Sequence, residues 1–219
     1  ELGVASAAAA TAQSGADAWA TDVEHRRLLV NLITAAAPVN PTAIPRLFLD
    51  AYQKAAAEAN ARFARCLVPW TAVAAVGRVE SNHGRSGGAR LALNGDVFPR
   101  ILGRPLDGTN GTRLIADTDR GAFDGDPDVD RAVGPMQFIP STWVRIATDG
   151  NGDGVADPNN GYDATLGAAV YLCRAVPGGG LDTEDGLRPA FFSYNRSDSY
   201  VELVLAWART YAELAAQRA

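Results

Sequence analysis

The sequence predicts a mainly α protein, and three observations carry that expectation. Large apolar residues recur at helical spacing in several separate stretches, no alternation of strand and helix patterns suggests a βαβ unit, and segments rich in Gly, Pro, Asp and Asn separate those stretches as loops would. With 219 residues, the chain is long enough for one domain and an extension, or for two small domains. Hydrophobic residues make up 47% and charged residues 21%, which suits a globular chain and not a disordered or collagen-like one. The net charge of -5 and the lack of a basic face beyond Arg26 and Arg27 argue against nucleic acid as a partner. No apolar run approaches the roughly 18 residues of a membrane span.

Residues 1–16, ELGVASAAAATAQSGA, lack large apolar side chains and are read as a flexible Ala-rich segment. Residues 17–65 are expected to form a helical scaffold. Its first helix, over 18–37, carries Trp19, Val23, Leu28, Leu29, Leu32 and Ile33, and its second, over 45–65, carries Leu47, Phe48, Ala51, Tyr52, Ala55 and Phe63. A third helix opens near Pro69 to Thr71, with Thr71 as its cap, and ends by Gly84. The stretch 85–131, rich in Gly, Pro, Asp and Asn, reads as a long irregular loop. After a tight segment at 134–140, a short helix is expected from Ser141 or Thr142, then an acidic glycine loop over 149–163, then a helix through Leu166, Val170, Tyr171 and Cys173. The glycines at 178–180 mark a turn. A last helix starts between Ser197 and Ser199, where Ser199 and Glu202 have capping-box spacing.

Glu80 is the residue that points to chemistry. Val73, Val76, Gly77 and Glu80 fall at i, i+3, i+4 and i+7, so the carboxyl stands on the apolar face of the third helix. Burial disfavours the charged carboxylate and raises its pKa, which makes a proton donor near neutral pH. Cleavage of a glycosidic bond needs such an acid to protonate the leaving oxygen. Spacing alone favours a different reading, a Glu at a helix end paired with Arg78 or Arg85, and the motif context reverses that preference. Cys66 and Cys173 are the two cysteines, without CxxC spacing, and are read as one disulfide in an oxidising compartment, with two unrelated buried thiols as the alternative. The chain opens without a basic and then apolar leader pattern, so export rests on other residues. His25 and His83 lack a zinc-ligand partner at helical or hairpin spacing and are read as structural or surface residues, with His83 close enough to Glu80 in sequence to rim a cleft.

Three ordered motifs, VGRVESNHG at 76–84, GPMQFIPSTW at 134–143 and FSYNRSDSY at 192–200, together resemble the lytic murein transglycosylases of the membrane-bound transglycosylase B type, in the style of their secreted actinobacterial branch. The resemblance covers roughly residues 66–215. It implies a lysozyme-like α+β catalytic domain over 66–219, preceded by extra N-terminal helices, in a bacterial protein that is secreted or held in the cell envelope. The implied reaction is cleavage of peptidoglycan between N-acetylmuramic acid and N-acetylglucosamine with a 1,6-anhydro product, and no cofactor takes part. Glu80 maps onto the family's sole catalytic carboxylate. Peptidoglycan glycan strands are the implied partner of a monomer, and cell-wall or divisome proteins are further candidates.

In this light Met136 and Gln137 are candidate sugar contacts, since glycine at 134 lets backbone approach a ligand and a carboxamide both donates and accepts; Phe138 reads as core. Tyr194 and Asn195 match the family's Tyr-Asn pair, and Tyr171 resembles a further substrate tyrosine, with a core position equally compatible with its spacing. Asp149, Asn151 and Asp153, followed by Gly154, reproduce the first half of an EF-hand loop. The twelfth position is Asn160 instead of Glu, so the pattern fails there, but Asp163 could close a lengthened loop of the kind the resembling family has. A structural Ca2+ would then be held by Asp149, Asn151, Asp153, the Val155 carbonyl and Asp163, with Asp157 as a substitute; a solvated acidic turn is the alternative. Two rival functions remain: a hydrolytic muramidase drawing its second carboxylate from Asp117, Asp119, Asp124, Asp126, Asp128 or Asp130, and a non-catalytic wall-binding module stabilised by calcium.

Overall fold

The computed structural model describes residues 44–217, so the expected Ala-rich segment, the helix over 18–37 and His25 lie outside the described residues. Within them the protein is mainly α and lysozyme-like. Six helices, α1 (Arg46–Arg62), α2 (Trp70–Ser81), α3 (Pro140–Ile146), α4 (Gly161–Ala175), α5 (Glu184–Tyr194) and α6 (Asp198–Ala216), accompany four short strands, β1 (Arg90–Leu91), β2 (Val97–Phe98), β3 (Leu102–Pro105) and β4 (Arg131–Val133).

Two helices run through the centre. Residues 71–77 of α2 are all buried, and α4 is buried from Asp163 through Val170, so neither has a solvent face over those turns. A helix apolar all round must be covered on every side. Around them, α1 packs along both α4 and α2, while α6 packs along α2 and α5. α1 presents Phe48, Ala51, Tyr52, Ala55, Ala56 and Ala59 inward, and Asp50 pairs with Lys54 at 2.8 Å toward solvent. The chain can bring Tyr52 so close to α2 because position 77 is glycine: a Cβ there would lie 2.1 Å from the Tyr52 hydroxyl. Cys66, just before α2, is bonded to Cys173 on α4, which ties the two central helices covalently.

Several local expectations are corrected. Thr71 does not cap α2, which begins at Trp70 after an extended Pro69; proline is compatible with the ends of helices because the first amides have no intrahelical partner anyway. Pro140 opens α3 for the same reason, ahead of Ser141 and Thr142. The stretch 85–131 is not wholly irregular: β1 pairs antiparallel with β2 and β3 with β4, giving a lobe of two small sheets beside the helices. α5 had no counterpart in the sequence reading, which placed only a turn there; Thr183 caps it by accepting from the Gly186 amide at 3.2 Å, and Pro189 sits inside it. α6 is capped by Ser197 rather than by a Ser199 and Glu202 box, because Glu202 is drawn to Arg188 at 2.5 Å. Among the described residues no helix is long and apolar enough to cross a membrane.

Candidate active site

Glu80 lies in the last turn of α2, where the helix emerges from the core, and its side chain is half-buried. Tyr200, in the first turn of α6, donates its phenol to Glu80 Oε1 at 2.5 Å. Burial raises the Glu80 pKa from 4.5 to about 7, and the Tyr200 hydrogen bond, which favours the carboxylate, pulls the other way. The surface-pair reading of Glu80 does not apply. Arg78 is bonded to Asn82 and lies 4.4 Å from the Trp207 ring centre, and Arg85 donates to the Asn82 carbonyl at 2.8 Å; neither arginine is among the causes of the shift at Glu80. No second carboxylate is among those causes either, within the described residues.

The segment from Gly134 to Gln137 forms a tight turn closed by the exchange of two backbone hydrogen bonds between Val133 and Phe138, at 2.8 and 3.0 Å. Gly134 has φ 75°, and a Cβ there would fall 1.8 Å from the Pro158 carbonyl oxygen, so only glycine fits. Three consecutive carbonyls of this turn each accept a side-chain donor. Gln137 Nε2 donates to Gly134 O at 2.8 Å, Ser81 Oγ to Pro135 O at 2.6 Å, and Tyr194 Oη to Met136 O at 2.8 Å. The turn is therefore fixed by side chains from all three motifs that the sequence singled out. Met136 and Phe138 are buried at 0% and 3% exposure, and Phe138 packs its ring against Trp143 and Tyr194. The Met136 side chain accordingly sits in the core, and Gln137 is the half-buried member of the pair.

Tyr194 closes α5 with its ring edge-on to Tyr171 at 5.2 Å between centroids. Burial pushes its phenol well above the usual tyrosine value, with the nearby Glu80 charge next in effect, so Tyr194 stands in the electrostatic reach of the acid. Tyr171 spends its hydroxyl on the Ser193 carbonyl at 2.7 Å and is half-buried. Asn195 is the exposed C-cap residue of α5; its backbone amide donates to the Phe191 carbonyl. The fold thus gathers Glu80, Tyr194, Tyr171 and the turn at 134–137 around one place, and adds two residues that sequence reasoning missed. Tyr200 ends the quoted FSYNRSDSY string, and Ser81 follows Glu80 directly. The signal was adjacency to a motif, and only the rotation of α6 about its axis aims Tyr200 at the carboxyl.

His83 is not at a rim. It is 1% exposed, with Nδ1 2.9 Å from the Tyr52 hydroxyl and Nε2 2.8 Å from that of Tyr211. Burial lowers its pKa to about 3, so the ring is neutral, with one phenol donating to it and the other accepting from it. This chain of three side chains pins the end of α2 between α1 and α6.

The acidic loop is organised by its own carboxylates. Asp163, buried in the first turn of α4, accepts from the amides of Gly150 and Asn151 at 2.8 and 3.2 Å and from that of Asp157 at 2.9 Å. Asp149 accepts from Gly152 and Gly154 at 2.6 and 2.8 Å, Asn151 from Asp153 at 3.0 Å, and Asp153 from Val155 at 2.8 Å. Burial raises the Asp163 pKa, whereas the backbone donors lower that of Asp149. Asn160, at the twelfth EF-hand position, serves instead as the N-cap of α4. Among the described residues the acidic side chains that converge within 4.8 Å are Asp117, Asp119 and Asp130, in the sheet lobe.

No curated protein matches the chain. Residues 120–176, about a quarter of the chain, match the family model described as a transglycosylase SLT domain. That stretch contains the turn at 134–137 and Tyr171 but stops short of Tyr194 and begins after Glu80. The match supports a peptidoglycan-acting lytic transglycosylase, which works outside the cytoplasm.

Proposed function

We propose that the protein is a lytic transglycosylase of the membrane-bound murein transglycosylase B type, which cleaves the bond between N-acetylmuramic acid and N-acetylglucosamine in peptidoglycan and leaves a 1,6-anhydro end. The observation that supports it most is a half-buried carboxyl, Glu80, held protonated up to about pH 7, oriented by Tyr200 and influenced by no second carboxylate among the described residues. With Oε1 accepting the Tyr200 proton, Oε2 carries the transferable one. Glu80 gives it to the glycosidic oxygen as the bond to C1 breaks. The resulting carboxylate then takes the proton of the muramoyl C6 hydroxyl as that oxygen bonds to C1, which restores the acid without water. A hydrolytic enzyme would use a second carboxylate as nucleophile or base, and among the described residues no second carboxylate is a cause of the shift at Glu80; in the lobe, Asp117 accepts from the Arg120 and Gly121 amides, Asp124 from those of Asp126 and Arg131, and Asp130 from that of Thr118.

Gln137, Tyr194, Asn195, Tyr171 and the backbone at Met136 are the proposed substrate side of the cleft. A structural Ca2+ in the loop 149–163 belongs to the same proposal: Asp149, Asn151, Asp153 and the Val155 carbonyl would supply the all-oxygen donor set that a hard cation takes, with the Asp149 oxygens at present accepting the Gly152 and Gly154 amides. Asp163 has both oxygens engaged by three amides, so it braces the loop against α4 whether or not it also reaches an ion. Digestion of purified glycan strands, with product masses read by spectrometry, tests the reaction: an anhydro end is lighter than a hydrolytic one by one water, and products of the hydrolytic mass, or none, would overturn the proposal.

A further inference from the structure

Ser81 joins two motifs that lie 54 residues apart in the chain. It is 1% exposed, and its one hydroxyl proton goes to the Pro135 carbonyl while its oxygen accepts the Gly84 amide at 2.8 Å. The second contact closes the turn in which α2 ends, where Asn82, His83 and Gly84 all take left-handed φ values of 53°, 58° and 69°. The first fixes a proline, which has no amide of its own and can be held by its backbone only through its carbonyl. Pro135 and Gly84 are themselves buried, so loss of the hydroxyl would leave a buried acceptor and a buried donor unpaired at once. Nothing in this arrangement leaves the hydroxyl available to a ligand.

We propose that Ser81 is a positioning residue for the cleavage step, acting through the Pro135 carbonyl to set where the turn at 134–137 stands relative to the Glu80 carboxyl. This rests on the reading of Glu80 as the acid. The geometry favours it over a merely structural role because the three carbonyls of the turn are held from different directions, and Ser81 is the holder that shares a peptide bond with the acid. If that tether is cut, the turn can drift, and Tyr194 moves with it through Met136. The wall beside Glu80 then opens to water. A misplacement of about 1 Å between an acid and its substrate costs roughly 100-fold in rate. Tyr200 and Tyr194 are the titratable groups that couple to Glu80, and burial keeps both phenols neutral far above the working pH.

The test compares wild type, Ser81→Ala and Ser81→Thr for kcat, KM, the pH dependence of kcat, and folded fraction by melting. The expected result for Ser81→Ala is a kcat lower by about tenfold or more with KM changed little, an alkaline limb of kcat displaced toward lower pH as Glu80 gains water, and recovery of most of kcat in Ser81→Thr, which keeps the hydroxyl. Should Ser81→Ala not fold, Ser81→Cys, with similar volume and a weaker donor, is read in the same way. A folded variant with wild-type kcat and an unmoved alkaline limb would overturn the proposal, as would a loss of kcat that merely tracks the folded fraction with the limb in place. Wild-type protein that releases no anhydro product would instead remove the proposed function itself, so the two failures are distinguishable.

Discussion

Tyr200 reaches Glu80 across 120 residues of sequence and holds Oε1 at 2.5 Å, so the C-terminal helix supplies the group that orients the acid of the second helix. Two opposing effects meet on this carboxyl. Burial raises its pKa and the phenol lowers it, and burial prevails, leaving the group near 7. Its protonation is therefore balanced near neutral pH, which suits the proposed role of first donating and then accepting a proton.

Glu80→Gln is expected to lose nearly all turnover while keeping the fold, because the amide preserves shape and has no proton to transfer. It should also stabilise the protein in a pH-dependent way. Since the folded-state pKa of about 7 exceeds the unfolded value of 4.5, folding takes up a proton between those limits, and wild-type stability falls as pH rises through that window. The difference between variant and wild type should be near zero below pH 4.5 and reach about 2 kcal/mol at pH 8, after allowance for partial exposure. Melting curves at the two pH values measure it, and a pH-independent difference would contradict the assigned burial.

Tyr200→Phe removes the hydrogen bond that favours the carboxylate. Glu80 should then titrate higher, moving the alkaline limb of kcat upward, while kcat itself falls about tenfold because the acid is no longer oriented and the second proton transfer is disfavoured. The direction of the limb separates this variant from Ser81→Ala, which moves it downward.

Chelation addresses the loop 149–163. If calcium sits among Asp149, Asn151, Asp153 and the Val155 carbonyl, a chelator lowers the melting temperature, added calcium restores it in proportion to the logarithm of its concentration, and Asp153→Ala abolishes the difference. Asp163→Ala should destabilise in the presence and absence of calcium alike, by about 2 kcal/mol, because it leaves the amides of Gly150, Asn151 and Asp157 without their acceptor. A melting curve indifferent to both chelator and calcium would leave the loop a self-braced acidic turn.

Non-reduced peptide mapping should recover Cys66 and Cys173 in one linked pair. Replacing both with alanine should cost about 2 to 5 kcal/mol, since the bridge closes a long loop of chain and joins the two central helices. Recovery of both thiols in free form would contradict the bridge and the oxidising compartment it implies.

The sequence by itself determined the helices whose apolar residues repeat at helical spacing, α1, α2, α4 and α6, because periodicity is a local property that burial of one face enforces. It also singled out Glu80 by its place on an apolar face, together with the cysteines that pair. It did not reveal α5, where Pro189 and an exposed stretch disguise the helix, nor the small sheets of the lobe, whose strands are two to four residues long and too short to show alternation. The cap at Ser197 was misassigned to Ser199 because Glu202 has a better partner in Arg188, and partners of that kind are invisible in local spacing. Tertiary structure alone decided how the site is wired: Tyr200 onto Glu80, Ser81 onto Pro135, Tyr194 onto Met136, and His83 between Tyr52 and Tyr211. Each of those bonds joins residues more than 30 positions apart, and a hydrogen bond depends on distances and angles that only the packing of whole helices sets.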